Sequence, residues 1–285
     1  MQRKSLMLFA AAVSALSLAG CGRTSLTTTK TTYHQNGMVA AVKGNTSAKK
    51  VTYQVDDQAK KTLTVRNGTF VIQVPSSTKN QQVKLTAGSD HKTVHVAAAT
   101  ALADYQTLRT SFNQALAGSQ LSPADQKKAA QLQAAAASLK QQPSAQAMTT
   151  VQSLQKDVQT AMATANQQVK GQLLPTKTPS NGVHTVVSTK DYKIRMNVQD
   201  GKVMGSTMIV PTKNFKQKSG QKKFGTSFAL LVNGTGADAK KVMKDFGKET
   251  KKAKKGSTNI DPIYSKGVKF TIGLSSADIY IFMTK

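Results

Sequence analysis

The chain has 285 residues, with 40 Lys/Arg against 13 Asp/Glu and a formal net charge of +27. A single cysteine excludes an internal disulfide framework. Glu249 is the only glutamate and lysine supplies nearly all the positive charge, which suits diffuse attraction to a polyanion better than geometry-specific reading by arginine.

The chain opens with a positive pair, Arg3 and Lys4, followed by Ser5 to Gly20 without charge or proline. Sixteen residues are short for a bilayer span, which needs roughly 20. A basic start, a short apolar run and a small-residue exit read as a secretory signal over residues 1–20. Leu18-Ala19-Gly20-Cys21 resembles the lipobox of bacterial lipoproteins at every position. The resemblance implies cleavage before Cys21 and a diacylglyceryl thioether on its sulfur, so that Cys21 becomes the lipidated first residue, carrying diacylglycerol and palmitate. Two acyl chains pass the two-signal threshold for stable membrane anchoring. After processing no thiol would remain, and 38 Lys/Arg would face 13 acids.

Residues 21–36, threonine-rich and poor in apolar side chains, read as the lipidated cysteine and a tether. Over 37–98, short alternating runs predict six strands: Met38 to Lys43, Val51 to Val55, Thr62 to Arg66, Thr69 to Val74, Val83 to Leu85 and Thr93 to Val96. Asn67-Gly68 marks a tight turn. The expected form is an antiparallel β-sandwich, and the stretch NGTFVIQVP, Asn67 to Pro75, resembles a bacterial immunoglobulin-like surface module.

Residues 99–172 turn to alanine, glutamine and helical periodicity. Thr100 is placed to cap a helix with Leu102, Tyr105, Leu108, Phe112 and Leu116 on one stripe. Ser122-Pro123 opens a second helix and Ser144 a third, which carries Met148, Val151, Val158, Met162, Ala165 and Val169. The expected arrangement is a helical hairpin or three-helix bundle, with an arm pairing with another chain as the alternative.

Residues 173–182, with two prolines, read as a linker. Residues 183–285 read as a basic α+β domain holding 20 Lys/Arg against seven acids. Expected strands are Val183 to Ser188, Tyr192 to Val198, Val203 to Val210 after an Asp200-Gly201 turn, Thr226 to Val232, Val268 to Leu274 and Asp278 to Met283. One helix, Ala237 to Ala253, packs on this antiparallel sheet through Ala239, Val242, Met243 and Phe246. Its lysines Lys240, Lys241, Lys244, Lys248, Lys251 and Lys252 are the candidate anion-binding set.

The chain carries four look-alikes of chemical sites. Gly234-Thr-Gly236 mimics a dinucleotide fingerprint, but that fingerprint needs a parallel βαβ unit. Asp245-Phe-Gly247 spells a kinase triplet inside an amphipathic helix. His91 and His95 share the i,i+4 spacing of a helical metal pair, yet on a strand they stand about 13 Å apart. Asp56-Asp57 fits a turn. No catalytic residues, metal ligands or cofactor are assigned.

The composition resembles that of Gram-positive surface lipoproteins. The expectation is a non-enzymatic, lipid-anchored protein on the extracellular face of the cell membrane, binding an anionic cell-wall polymer or another acidic partner. The alternatives are an extracellular nucleic-acid binder, stacking bases on Tyr192, Phe215, Phe224 and Phe228 among the lysines, and an accessory lipoprotein for a small molecule or protein. The sequence leaves the oligomeric state open.

Overall fold

The computed structural model of the chain describes residues 24–215, 217–254 and 260–285. The signal and lipobox residues, Leu18 to Cys21, lie outside the described residues. Among the described residues the protein is a mixed α/β assembly of largely antiparallel sheets and six α-helices.

Strands β1 (Leu26–Thr28), β2 (Thr32–Tyr33), β3 (Val39–Thr46), β4 (Lys50–Val55), β5 (Lys61–Thr64), β6 (Thr69–Pro75), β7 (Gln81–Ala87) and β8 (Asp90–Val96) build the N-terminal part. They form two sheets, β1-β3-β6 and β2-β8-β7-β4-β5. All pairs are antiparallel except β2 with β8. Alternation sends Phe70, Ile72 and Val74 of β6 and Val83, Leu85, Val94 and Val96 of β7 and β8 into one buried cluster. Each such side chain contributes roughly 1.5–3 kcal/mol on burial. Asn67 and Gly68 take φ of 50° and 71°, the left-handed pair that a tight hairpin needs.

The expected tether is corrected here: β1 and β2 fall within residues 21–36 and belong to the sheets. Tyr33 is buried, and its hydroxyl donates to the Lys43 carbonyl at 2.8 Å. Two apolar anchors in a threonine-rich stretch are too few to show a period.

Helix α1 (Tyr105–Gly118) follows a short strand, β9 (Ala103–Asp104). Asp104, not Thr100, is its N-cap and accepts from the Thr107 N–H at 3.0 Å. Helices α2 (Pro123–Gln141) and α3 (Ala145–Gln168) start at Ser122 and Ser144, as their caps predict. The expected bundle is not what buries α1. Its stripe of Tyr105, Leu108, Phe112 and Leu116 enters the core of the C-terminal sheet. Helix α2 buries no residue and α3 only Ala165. Alanine, the main apolar residue of α2, removes too little surface from water to hold a third helix. The two helices form a hairpin crossed by the Lys128–Asp157 pair at 2.8 Å.

Residues 173–182 are docked along α1. The Asn113 side chain donates to the Leu174 carbonyl and accepts from its N–H, at 2.9 and 2.8 Å. The Tyr105 hydroxyl donates to the Pro175 carbonyl at 2.8 Å.

The C-terminal sheet consists of β10 (Gly182–Ser188), β11 (Lys193–Gln199), β12 (Lys202–Pro211), β13 (Ile263–Ser265), β14 (Val268–Leu274) and β15 (Asp278–Thr284). The order is β10-β11-β12-β15-β14-β13, antiparallel throughout, with β9 added beside β12. Asp200 and Gly201, at φ of 51° and 74°, form the hairpin expected between β11 and β12. Helices α4 (Thr212–Phe215), α5 (Lys218–Gly234) and α6 (Ala239–Lys254) follow β12.

The Thr226 to Val232 run is therefore helix, not strand, and more than one helix covers the sheet. Phe224, Phe228, Leu231 and Val232 form a helical stripe, and the lysines at 218, 222 and 223 supply its polar side. A short apolar run has no period of its own, so length decides between helix and strand. Phe228 meets Phe270 of β14 edge-on at 6.3 Å. Ile194, Met196, Met208, Ile272, Ile281 and Met283 complete this face. No helix among the described residues is long and apolar enough to cross a membrane.

Candidate anion-binding surfaces

Helix α6 is built as an amphipathic lid on the core. Asp238 caps it, accepting from the Lys241 N–H at 3.0 Å, while its own N–H donates to the Ser265 hydroxyl. Val242 and Phe246 are buried, and the Phe246 ring lies 5.8 Å from both Phe224 and Phe228.

The lysines of the helix separate into two kinds. Lys241 pairs with Asp245 at 2.9 Å and donates to the Tyr264 carbonyl, and Lys248 pairs with Asp245 at 3.4 Å. The Lys241 hydrogen bond, aided by Lys248, holds the Asp245 carboxyl below the usual carboxylate range. Lys240 and Lys244 are exposed, and no described carboxylate lies within 4 Å of either. The side chains of Lys251 and Lys252 lie outside the described residues. Two of the six predicted cations are thus open, and two are tied into an intrahelical pair.

The structure disposes of the look-alikes by position. A helix, α5, precedes Gly234-Thr-Gly236, so this segment is a helix–helix turn with Gly236 at φ 85°. Asp245-Phe-Gly247 sits within α6. His91 and His95 project from the exposed side of β8, opposite the buried Val94 and Val96, and His91 Nδ1 lies 3.1 Å from the Thr86 hydroxyl. Asp56 turns at φ 46°, its carboxylate accepting from the Gln82 N–H.

The expected base-stacking set is overturned. Tyr192, Phe224 and Phe228 are core residues, and the Phe215 side chain lies outside the described residues. Tyr192 is sealed in further by its hydroxyl, which accepts from Ser227 at 2.8 Å and donates to Gln172 at 3.2 Å. Burial pushes this phenol above its ordinary pKa.

Sequence reasoning missed a different set of rings. Along β15, Ile279, Ile281 and Met283 face the core, so Tyr280 and Phe282 stand on the opposite side of the sheet. Both are half-buried. Every residue from Ile279 to Met283 is apolar, so the strand shows no polar alternation to mark two different faces. The N-terminal part meets this outer face through the turn at residues 36–38. Gln35 Nε2 donates to the Met204 carbonyl at 2.9 Å, and the Thr207 hydroxyl contacts Met38 Sδ. A cleft of about 410 Å³ remains beside the turn, between Asn36, Val39 and Gln73 on one side and Arg195, Thr271 and Phe282 on the other.

No family model matches the chain, and no curated protein matches its sequence.

Proposed function

We propose that the chain is a non-catalytic lipoprotein held at the extracellular face of the cell membrane through Cys21, and that its C-terminal part binds an anionic cell-wall polymer. The anchor rests on Leu18-Ala19-Gly20-Cys21 and the basic, apolar stretch ahead of it. The immunoglobulin-like reading of the N-terminal sheets supports a spacer role, lifting the basic part outward.

The observation that carries the polymer reading is the pair Lys240 and Lys244. They lie one turn apart on α6, exposed and with no described carboxylate within 4 Å. Ordinary solubilising lysines need no such segregation, whereas a polyanion gains from several open cations on one helix face.

The test is co-sedimentation of the full chain, in non-ionic detergent, with walls that carry or lack teichoic acid. Log affinity falls steeply with log salt when several lysines displace counterions. Lys240→Ala with Lys244→Ala weakens retention about tenfold at moderate salt, taking a few-fold per lysine near an anionic surface. Retention that ignores salt, polymer and both lysines overturns the proposal.

A further inference from the structure

The outer face of the C-terminal sheet carries a second basic surface, on the side away from α6. Register lines up two rows of side chains across it. Lys193, Ile209, Tyr280 and Gly273 stand opposite one another on β11, β12, β15 and β14. Arg195, Thr207, Phe282 and Thr271 form the next row on the same strands. The Tyr280 and Phe282 rings lie 6.3 Å apart and within 13° of parallel. Gly273 puts no side chain beside Tyr280, and the Phe282 ring borders the space it leaves. Lys193 and Arg195 are exposed, and no described carboxylate lies within 4 Å of either. The turn carrying Met38 stands over Thr207 and walls the platform, so that Arg195 and Phe282 both open into the 410 Å³ cleft.

We infer that this corner binds single-stranded nucleic acid, with bases stacked on Tyr280 and Phe282 and phosphates held by Arg195 and Lys193. Flat rings on a sheet, flanked by cations and with no acid in either row, complement a chain of flat rings joined by anions. A duplex hides its base faces and presents edges and phosphates alone. A neutral sugar would find none of the carboxylate acceptors that its hydroxyls favour in either row. The inference stands apart from the α6 reading, because the two surfaces lie on opposite sides of the sheet.

The test is fluorescence anisotropy on the full chain in non-ionic detergent, with a labelled 12-nucleotide oligothymidylate and a duplex of the same length. The single strand binds more tightly than the duplex. Tyr280→Leu, which keeps the strand apolar, weakens it about tenfold. Arg195→Gln lowers the slope of log affinity against log salt by about one. Lys240→Ala with Lys244→Ala leaves single-strand affinity within about twofold. Melting curves accompany each variant, and if Tyr280→Leu is unfolded, Lys193→Gln at the exposed strand start replaces it, with the same slope change expected. Equal affinity for duplex and single strand, or affinity unchanged in the folded platform variants, overturns the inference. So does dependence on Tyr280 that appears only with purified teichoic acid, and so does a loss confined to the α6 variant.

Discussion

The side-chain amide of Asn197 donates to the main-chain carbonyl of Met38 at 2.9 Å, 159 residues away in sequence, with both groups buried. The same amide nitrogen reaches the Ser76 carbonyl at 3.3 Å. One side chain of β11 thereby satisfies two carbonyls of the N-terminal sheets, and it joins the two parts of the chain. Asn197→Ala strands those carbonyls away from water, at a cost of about 1–3 kcal/mol. Denaturant unfolding is expected to show that loss. An unchanged midpoint would mean that the two parts do not meet here in solution.

Gly44 of β3 is a second tight point. A methyl group added there would meet the Thr27 carbonyl of β1 and the Phe70 ring of β6. Gly44→Ala therefore destabilises, by about 1–3 kcal/mol as for overpacking generally, although alanine costs less chain entropy than glycine. A melting temperature lowered by several degrees checks this. A raised one would show that β1 is free to move aside.

Burial pushes the Tyr105 phenol from near 10 up to about 12. The folded protein thus favours the protonated form. Its contribution is complete below about pH 10 and is lost as pH rises through 12. Tyr105→Phe is expected to be less stable at pH 8 by about 1 kcal/mol, having lost the bond to Pro175. Its stability then declines less than the wild type's between pH 10 and 12, as urea midpoints will show.

Removing the distal part of the α2–α3 hairpin, residues 131–154, and closing it with a short glycine turn leaves the core intact. None of those residues is buried. The melting temperature is expected to stay within about 2–4 °C, the equivalent of about 1 kcal/mol. A collapse in stability would show that the hairpin packs against something further.

Asp104→Ala removes the N-cap of α1 and the partner of Lys202 at 3.2 Å. The Thr107 N–H bond, then Lys202, lowers the Asp104 pKa. The stability this carboxylate supplies is present above about pH 4 and fades as pH falls through the lowered value. Calorimetry at pH 7 is expected to show a loss of about 1 kcal/mol, as for other caps.

The sequence made some elements plain and hid others for identifiable reasons. Asp200-Gly201 between alternating runs leaves little choice but a hairpin, and Ser122-Pro123 little choice but a helix start. The stripe from Leu102 to Leu116 announces that it must be buried. It does not say against what, and the C-terminal sheet proves to be the answer. Thr226 to Val232 misleads because a buried helix and a buried strand look alike over seven residues. In the lysine surface, the spacing along α6 was readable. The Asp245 pairs that withdraw Lys241 and Lys248 were not, since either lysine could equally have pointed to solvent. Tyr280 and Phe282 escaped notice because an all-apolar strand does not mark which of its faces lies outward.

The position of β15 sets an order of events. This last strand lies in the middle of its sheet, between β12 and β14, and the stripe of α1 shares its core. The N-terminal sheets draw on strands from one continuous stretch, β1 to β8, and can close without the residues after Val96. Tyr105, Leu108 and Phe112, by contrast, need at least α5, against which α1 packs, before their apolar side is covered. A molecule cut short before Asp278 would leave the facing edges of β12 and β14 without a partner. The seven-residue strand Asp278–Thr284 is thus the keystone that joins the β10-β11-β12 part of the sheet to β14 and β13.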